Sequence, residues 1–380
     1  MEEVYQIASQ TAWIIPGMFL LITAIQLFYY WFFFSRVAFF KHKPPAFSYP
    51  PVSVVICARN EFTNLEENLP LILSQDYPHF EVVVVDDGSD DESNYLLQDL
   101  CKQYPLLRVV SLRPNINFFK GKKFPLSMGI KSAKHELLLL TDADCRPASD
   151  QWIKNMTRHF NGAPRVILGY GAYQHLPGFL NKLIRFDTLW VALQYLSLAL
   201  AGLPYMGVGR NLSYHRQLFY KVKGFTSHYK VMSGDDDLFV NQVANAGNLS
   251  VEISPESHTI SVPKKSFSSW FRQKSRHMTT GTYYKKKHQW LLGIFGISQL
   301  LFYPLLVAAL LLAPSDLILL IIAAAFVVRT LCLMIIVKYV SGRLNEPKLF
   351  LYSPLLDGIM TLLNVMFSLS ALLVKKNKWK

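Results

Sequence analysis

Leu137-Leu138-Leu139-Leu140-Thr141-Asp142-Ala143-Asp144 is the stretch that decides the fold. The apolar run reads as a buried strand, and two carboxylates close it. Side chains alternate along a strand, so residues two apart point the same way, and Asp142 and Asp144 leave the strand end as a pair. Hard divalent cations take oxygen ligands, and Mg²⁺ typically uses one or two carboxylates plus substrate phosphates. Taken alone, the pair reads equally well as a polar turn after a buried strand.

Working outward, the pattern repeats. Val52–Ile56 is a short β-branched run, and residues 60–74 follow with Leu65, Leu69 and Leu73 on one helical face. Val82–Val85 is a second buried strand ended by Asp86-Asp87-Gly88-Ser89, and a helix carrying Leu96, Leu97 and Leu100 leads to a third strand at Val109-Val110. Lys122 to Ala133 reads as the helix that feeds Leu137–Leu140. Strands alternating with helices predict an α/β fold, a mostly parallel sheet with helices on both faces. In such sheets ligands bind beyond the carboxyl ends of the strands. Three polar clusters stand at such ends: Ala58-Arg59-Asn60-Glu61, Asp86-Asp87-Gly88-Ser89 and Asp142-Ala143-Asp144. Each alone is an ordinary cap or turn; together they predict one binding crevice. The GxGxxG dinucleotide fingerprint is missing from the first strand–helix turn, which argues against an NAD-type fold.

Of 380 residues, 51% are hydrophobic and only 17% charged, a low share for a soluble enzyme. The shortfall is local. Residues 13–34 and 290–314 carry no formal charge, Arg329 alone interrupts 317–337, and Asp357 alone interrupts 349–374. Each stretch is long enough to span a bilayer. The first begins Met1-Glu2-Glu3, lacks a basic n-region and is not read as a cleaved signal. Basic residues follow it (Arg36, Lys41, His42, Lys43), and Lys285-Lys286-Lys287-His288 precedes the second. The positive-inside tendency then places the N-terminus outside and the intervening domain in the cytoplasm. The predicted organisation is an N-terminal anchor over 1–43, a cytoplasmic domain over 44–288 and membrane helices over 289–380.

The net charge of +13 clusters beside these spans, a distribution that favours anionic lipid headgroups over nucleic acid. The four cysteines have no metal-ligand spacing and are read as free thiols. The apolar run 189–203 would, as a span, split the domain across the membrane, so it is predicted to be a buried or interfacial helix. If spans begin near residues 13, 290, 315 and 350, the basic run Lys375–Lys380 ends outside, against the positive-inside tendency. Either the last segment, with Pro354 and Asp357, re-enters and returns, or the tendency fails; an inward tail is expected.

The succession VSVVICARNE, VVVVDDGSDD, GKKFPLSMGI and LLLLTDADC, from about Pro51 to His277, resembles the inverting glycosyltransferase family 2, whose catalytic domain has the GT-A fold. The resemblance implies a nucleotide-sugar donor, with the base and ribose held by Ala58, Arg59, Glu61, Asp86 and Asp87. Lys122 then approaches the diphosphate, while Lys123 reads equally as a solvated surface lysine. Asp142 and Asp144 are implied to hold Mg²⁺ or Mn²⁺. Gly207-Val208-Gly209-Arg210-Asn211 resembles a segment near donor sugar and acceptor, which implicates Gly209 and Asn211 in acceptor contact. In Ser233-Gly234-Asp235-Asp236-Asp237-Leu238 the family's general base is expected. Matching GDD selects Asp236, the register taken first here; matching EDxDL selects Asp235. Asp237 is left to cap the following helix.

Gln273-Lys274-Ser275-Arg276-His277 resembles QxxRW, the signature of membrane-bound polysaccharide synthases and related lipid glycosyltransferases. Gln273 and Arg276 would face the donor, Arg276 as a catalytic stabiliser of the leaving diphosphate. His277 stands where the family has an acceptor-facing tryptophan, a departure that weakens the case for processive synthesis. The implied protein is a multi-pass enzyme of the bacterial inner membrane that moves a sugar to a lipid or lipid-linked glycan acceptor. A processive synthase, and an inactive nucleotide-sugar-binding partner subunit, are the alternative readings.

Overall fold

The computed structural model describes residues 13–41, 49–113, 121–160, 162–163, 165–231 and 233–373. The N-terminal Met1-Glu2-Glu3, the basic residues His42 and Lys43, and the basic tail Lys375–Lys380 lie outside the described residues.

A first helix, α1 (Ile14–Ala38, with a π-helical stretch at Tyr29–Phe34), leads to strand β1 (Val52–Ala58). Then come α2 (Phe62–Leu73), β2 (Phe80–Asp86), α3 (Ser93–Gln103), β3 (Leu107–Ser111), α4 (Lys123–Ser132) and β4 (Leu137–Asp142). The chain continues through β5 (Cys145–Pro147), α5 (Trp152–Thr157), β6 (Val166–Leu168), β7 (Gly171–Tyr173), α6 (Phe179–Leu200), β8 (Leu212–His215), α7 (Arg216–Lys221), α8 (Asp237–Val243), β9 (Leu249–Val251) and β10 (Thr259–Ser261). Four helices close it: α9 (Phe267–Met278), α10 (Lys286–Leu311), α11 (Asp316–Arg343) and α12 (Leu349–Leu373).

Seven strands form one sheet in the order β3-β2-β1-β4-β8-β6-β9, and β5-β10-β7 form a small second one. Strands β3, β2, β1 and β4 are mutually parallel, as the alternation of strand and helix predicts, and β8 runs antiparallel on both sides. The strands form where β-branched and leucine side chains are buried on both faces: Val82 to Val85 are fully enclosed, and Leu137 to Leu140 nearly so. The register sets the site. Ala58 lies opposite Asp86, and Cys57 opposite Asp142, so all three polar clusters leave the sheet at one edge. Helix α4 closes on the sheet at Gly129, where an added Cβ would come within 2.6 Å of Val55 and 2.8 Å of Val85.

Among the described residues, five helices are long and apolar enough to cross a membrane: α1, α6, α10, α11 and Leu349–Ala371 of α12. Helix α6 is longer than its apolar run suggests and is buried in protein, between the sheet and the other long helices. Its charged first half finds partners there: Arg185 bonds Glu346, and Asp187 pairs with Lys274 at 2.8 Å. Aromatic contacts tie it to the outer helices, Trp190 meeting Phe34 at 5.8 Å and Phe295 at 6.2 Å.

Gly129→Val overfills the α4–sheet contact and is expected to destabilise the fold by about 1–3 kcal/mol. Thermal unfolding of the detergent-solubilised protein measures it; an unchanged midpoint would show that α4 does not seat there.

Candidate active site

Beyond the ends of β1 and β2, two loops are stitched together. The Asp87 N–H donates to the Ala58 carbonyl at 2.9 Å, the Asn60 N–H to Ser89 Oγ at 3.0 Å, and the Asp90 N–H to Asn60 Oδ1 at 2.8 Å. Asn60 makes this turn with φ of 55°, a left-handed conformation that asparagine tolerates. Asp86 is buried and accepts both the N–H and the hydroxyl of Ser89, so it braces the turn. Asp87 and Glu61 remain half-buried on the cleft side. Burial raises the pKa of each; the exposed Arg59 opposes the rise at Asp87, and a hydrogen bond from Asn64 opposes it at Glu61.

At the centre, Asp142 ends β4 and Asp144 follows one residue later. Carboxylate oxygens of both, with the Cys145 sulfur, lie within 4.8 Å of one another. Lys122 forms an ion pair with Asp142. Asp142 lies at the bottom of an open cleft, where 39% of its side chain still meets solvent. Burial raises its pKa, but Lys122 first, then Arg210 and His277, outweigh it and hold the carboxyl below its ordinary value. Asp144 goes the other way, raised by burial and by Asp142. These two carboxylates fit a hard divalent cation, with substrate phosphate or water completing the shell. Cys145 is less suited: it is fully buried, bonded to Ser261 at 3.0 Å, and held as a thiol by burial and by both aspartates.

The acidic triplet comes from a loop that a buried cation organises. Lys123, expected on the surface, is instead 4% exposed, and its ammonium donates to the carbonyls of His228, Val231 and Ser233 at 2.6, 2.7 and 2.8 Å. All three donors are spent on carbonyls, so its partners are this loop rather than a diphosphate. Gly234 sits at φ of 97°, with Leu238 within 2.6 Å of where a Cβ would stand, so only glycine fits before Asp235.

The three aspartates then divide. Asp236 caps α8, accepting the Asp237 N–H at 2.8 Å on one oxygen and the Gly209 N–H at 2.7 Å on the other. Burial and its two acidic neighbours push its pKa up. Asp237 accepts the Leu238 N–H at 2.7 Å, the Tyr284 hydroxyl at 2.7 Å and the Thr280 hydroxyl, which ties α8 to the segment after α9. The cap expected of Asp237 is supplied by Asp236 instead, and Asp237 is the first residue of α8. Asp235 is half-buried, and its charge acts on Lys122, Lys123 and Arg276.

Arg276 feels Asp235, Asp142 and Asp236, in that order, against a burial that lowers its pKa. Residues remote in sequence therefore lie within electrostatic reach of one another. Gln273 donates to the Tyr173 hydroxyl at 3.4 Å, which makes it a brace for that ring. His277 is exposed, and desolvation first, then the charges of Arg276, Lys274 and Arg210, act to lower the pKa of its imidazole.

The expectation for Asn211 changes. Asn211, assigned to the acceptor, is fully buried: its amide donates to the Tyr170 and Ser257 carbonyls, both at 2.8 Å, and accepts from Trp152 at 3.0 Å. A side chain so enclosed holds the strands together and does not meet an acceptor. Its neighbour Arg210, passed over in the sequence, is the residue that reaches the cleft. The guanidinium lies 4.5 Å from the Tyr173 ring centroid and acts on Asp142, Asp144 and His277. The signal was present in Gly209-Arg210-Asn211, but nothing local tells which of the two side chains turns inward. Gly209 does lie at the site, against Asp236.

Residues 53–233 match Glycosyl transferase family 2. The chain is 24% identical over 236 residues to a probable glycosyltransferase, YdaM, of Bacillus subtilis, covering 60% of this chain and 54% of that protein. It is 31% identical over 105 residues to the beta-monoglucosyldiacylglycerol synthase of Trichormus variabilis, 27% of this chain and 22% of that one. The chain thus spans about half the length of the first relative and about a fifth of the second. Among solved structures, the mannosyltransferase PcManGT of Pyrobaculum calidifontis superposes with a TM-score of 0.58 at 18% identity, over 92% of this chain and 99% of that one. Residues 53–233 are thus similar to a family 2 glycosyltransferase domain, on an α/β fold of the GT-A type. Asp235 and Arg276 lie beyond the matched segment.

Two outcomes test the geometry. Lys123→Met leaves three carbonyls of the 228–233 loop without their donor and is expected to cost about 1–3 kcal/mol, read as a lower unfolding midpoint. His228 and His258 are buried, and burial lowers the pKa of each to about 4. Unfolding returns them to about 6.5, so the unfolded chain binds more protons as pH falls from about 6.5 to about 4. Each histidine should then remove up to about 1.4 kcal/mol of stability per pH unit in that window. A flat stability profile between pH 6.5 and 4 would contradict the buried, neutral assignment.

Proposed function

We propose that this chain is a glycosyltransferase that inverts the anomeric centre of a nucleotide-sugar and passes the sugar to a lipid or lipid-linked glycan at the cytoplasmic membrane surface. The observation that carries the reading is the meeting of Asp142, Asp144, Lys122, Arg276 and Asp235 in one cleft at the carboxyl edge of the sheet. Names of similar proteins support the substrate classes: PcManGT is described in complex with GDP-Man and Mn²⁺, and the Trichormus relative is named for a glycosyl-diacylglycerol product.

Displacement from the face opposite the leaving group needs a carboxylate to remove the acceptor hydroxyl's proton as its oxygen attacks. Asp236 and Asp237 have committed their oxygens to backbone N–H groups and hydroxyls, so Asp235 is the proposed base, which favours the EDxDL register over the GDD one. The acceptor oxygen bonds the anomeric carbon, its proton passes to Asp235, and the bond to the diphosphate breaks. Arg276 and Lys122 oppose the charge that develops on the departing diphosphate, which is where preorganised charge acts most strongly. Mg²⁺ or Mn²⁺ held by Asp142 and Asp144 would add to that neutralisation. Ala58, Arg59, Glu61, Asp86 and Asp87 form the nucleoside end, Asp87 and Glu61 as the hydrogen-bond acceptors. Gly209 and His277 stand nearest the acceptor. His277, smaller than the tryptophan of QxxRW, favours single transfer over processive addition.

Asp235→Asn should lower sugar transfer by on the order of 10²- to 10⁴-fold with donor binding retained. Full turnover in this variant would remove Asp235 as the base. A panel of nucleotide-sugars with Mn²⁺ or Mg²⁺, read as nucleoside diphosphate release, identifies the donor. One sugar per acceptor supports single transfer, and a ladder of long products refutes it.

A further inference from the structure

Helix α12 has the length and apolarity of a membrane span, yet both of its ends rest on the catalytic domain. Just before its first turn, Glu346 is fully buried and accepts from Arg185 of α6 at 2.7 Å and from the Tyr170 hydroxyl at 3.2 Å. In its first turn, the Tyr352 ring lies 4.2 Å from the Lys182 ammonium of α6. Near its other end, the Phe367 ring meets Trp270 at 5.3 Å and Phe271 at 5.1 Å, both on α9. Helices α6 and α9 are themselves pinned by the Asp187–Lys274 pair. From Tyr352 to Phe367 is fifteen residues, about 22 Å of helix.

A crossing α12 would carry Phe367 that far into hydrocarbon some 30 Å thick, and Trp270 with it. Arg276 follows Trp270 by six residues on the same helix, about 9 Å along its axis. The cleft's charged groups would then sit inside the bilayer, where uncompensated charge is expensive. We infer that α12 does not cross: it lies along the membrane plane, clamped between the catalytic domain and the lipid.

Its two faces fit that position. Leu349, Leu356, Met360 and Phe367 are buried against protein, while Leu351, Leu355, Leu362, Met366 and Leu369 are exposed along the whole length and present the lipid a continuous apolar strip. Asp357, the one charge in its sequence, is buried toward α11 and pairs with Arg329 at 2.8 Å. The Tyr303 hydroxyl donates to the same carboxylate at 2.8 Å, and Arg329 also donates to Gln26 at 2.7 Å. The pair fastens α12 to three crossing helices, α1, α10 and α11. The two crossings that follow the catalytic domain, α10 and α11, return the chain to that domain's side. The positive-inside tendency favours the same side, because Lys375, Lys376, Lys378 and Lys380 follow α12 in the sequence.

The test uses the full chain in native membranes, with one epitope inserted between Ala313 and Pro314 and, in a second version, one added after Lys380. Protease added to intact spheroplasts and to inside-out vesicles should reach the two epitopes from opposite faces. Reaching both from the same face overturns the inference, because α12 must then cross. A shallow in-plane helix is separated from a re-entrant one by nitroxide depth at Leu355→Cys, Leu362→Cys and Leu369→Cys, with Cys101 and Cys332 replaced by serine. Equal depths are expected, whereas a spread approaching the roughly 20 Å between the first and last site overturns the in-plane assignment. Neither measurement depends on which sugar is transferred or on Asp235 acting as base.

Discussion

Like charges gathered in a low-dielectric cleft repel, and this structure depends on the cations placed between them. Asp142 and Asp144 come from the end of β4, and Asp235, Asp236 and Asp237 from the loop before α8. Lys122 stands against Asp142, Arg210 acts on Asp142 and Asp144, and Arg276 acts on Asp142 and the 235–236 pair. Lys123 lies underneath, fixing the backbone that presents the triplet. Such a cleft is matched to a ligand that is itself a polyanion bound with a cation, as a nucleoside diphosphate with its metal would be.

The sheet and its loaded edge were legible because both rest on local chemistry. Runs such as Val82–Val85 cannot be exposed, and alternation with amphipathic helices leaves few arrangements besides a parallel sheet. Aspartates and glycines directly after three such runs then mark the ligand edge. What was not legible is set by partners far along the chain. Lys122 and Lys123 are adjacent, and only the path of residues 228–233 sends one to Asp142 and the other into the interior. Asn211 does not meet an acceptor because Trp152, Tyr170 and Ser257 enclose its amide. Asp235 is separated from Asp236 by the Gly209 N–H, which arrives from a loop some twenty-five residues earlier.

The same reasoning links catalysis to the membrane. Trp190 of α6 packs on Phe34 and Phe295, and Glu346 between the last two helices is held by Arg185. Helix α9 carries Arg276 into the cleft and, two turns earlier, Trp270 and Phe271 toward α12. The long apolar helices are thereby packed directly against the α/β domain that carries the acidic cluster.

The account's central claim is that these carboxylates and cations serve one diphosphate and one metal ion. Its most direct test is a structure of the protein with Mn²⁺ and a nucleoside diphosphate, with the metal located by anomalous scattering. The account predicts a manganese peak bridging Asp142 and Asp144, and a diphosphate within reach of Arg276 and Lys122. Manganese bound elsewhere, or a nucleotide that leaves Arg276 and Asp235 in a separate cavity, would contradict it.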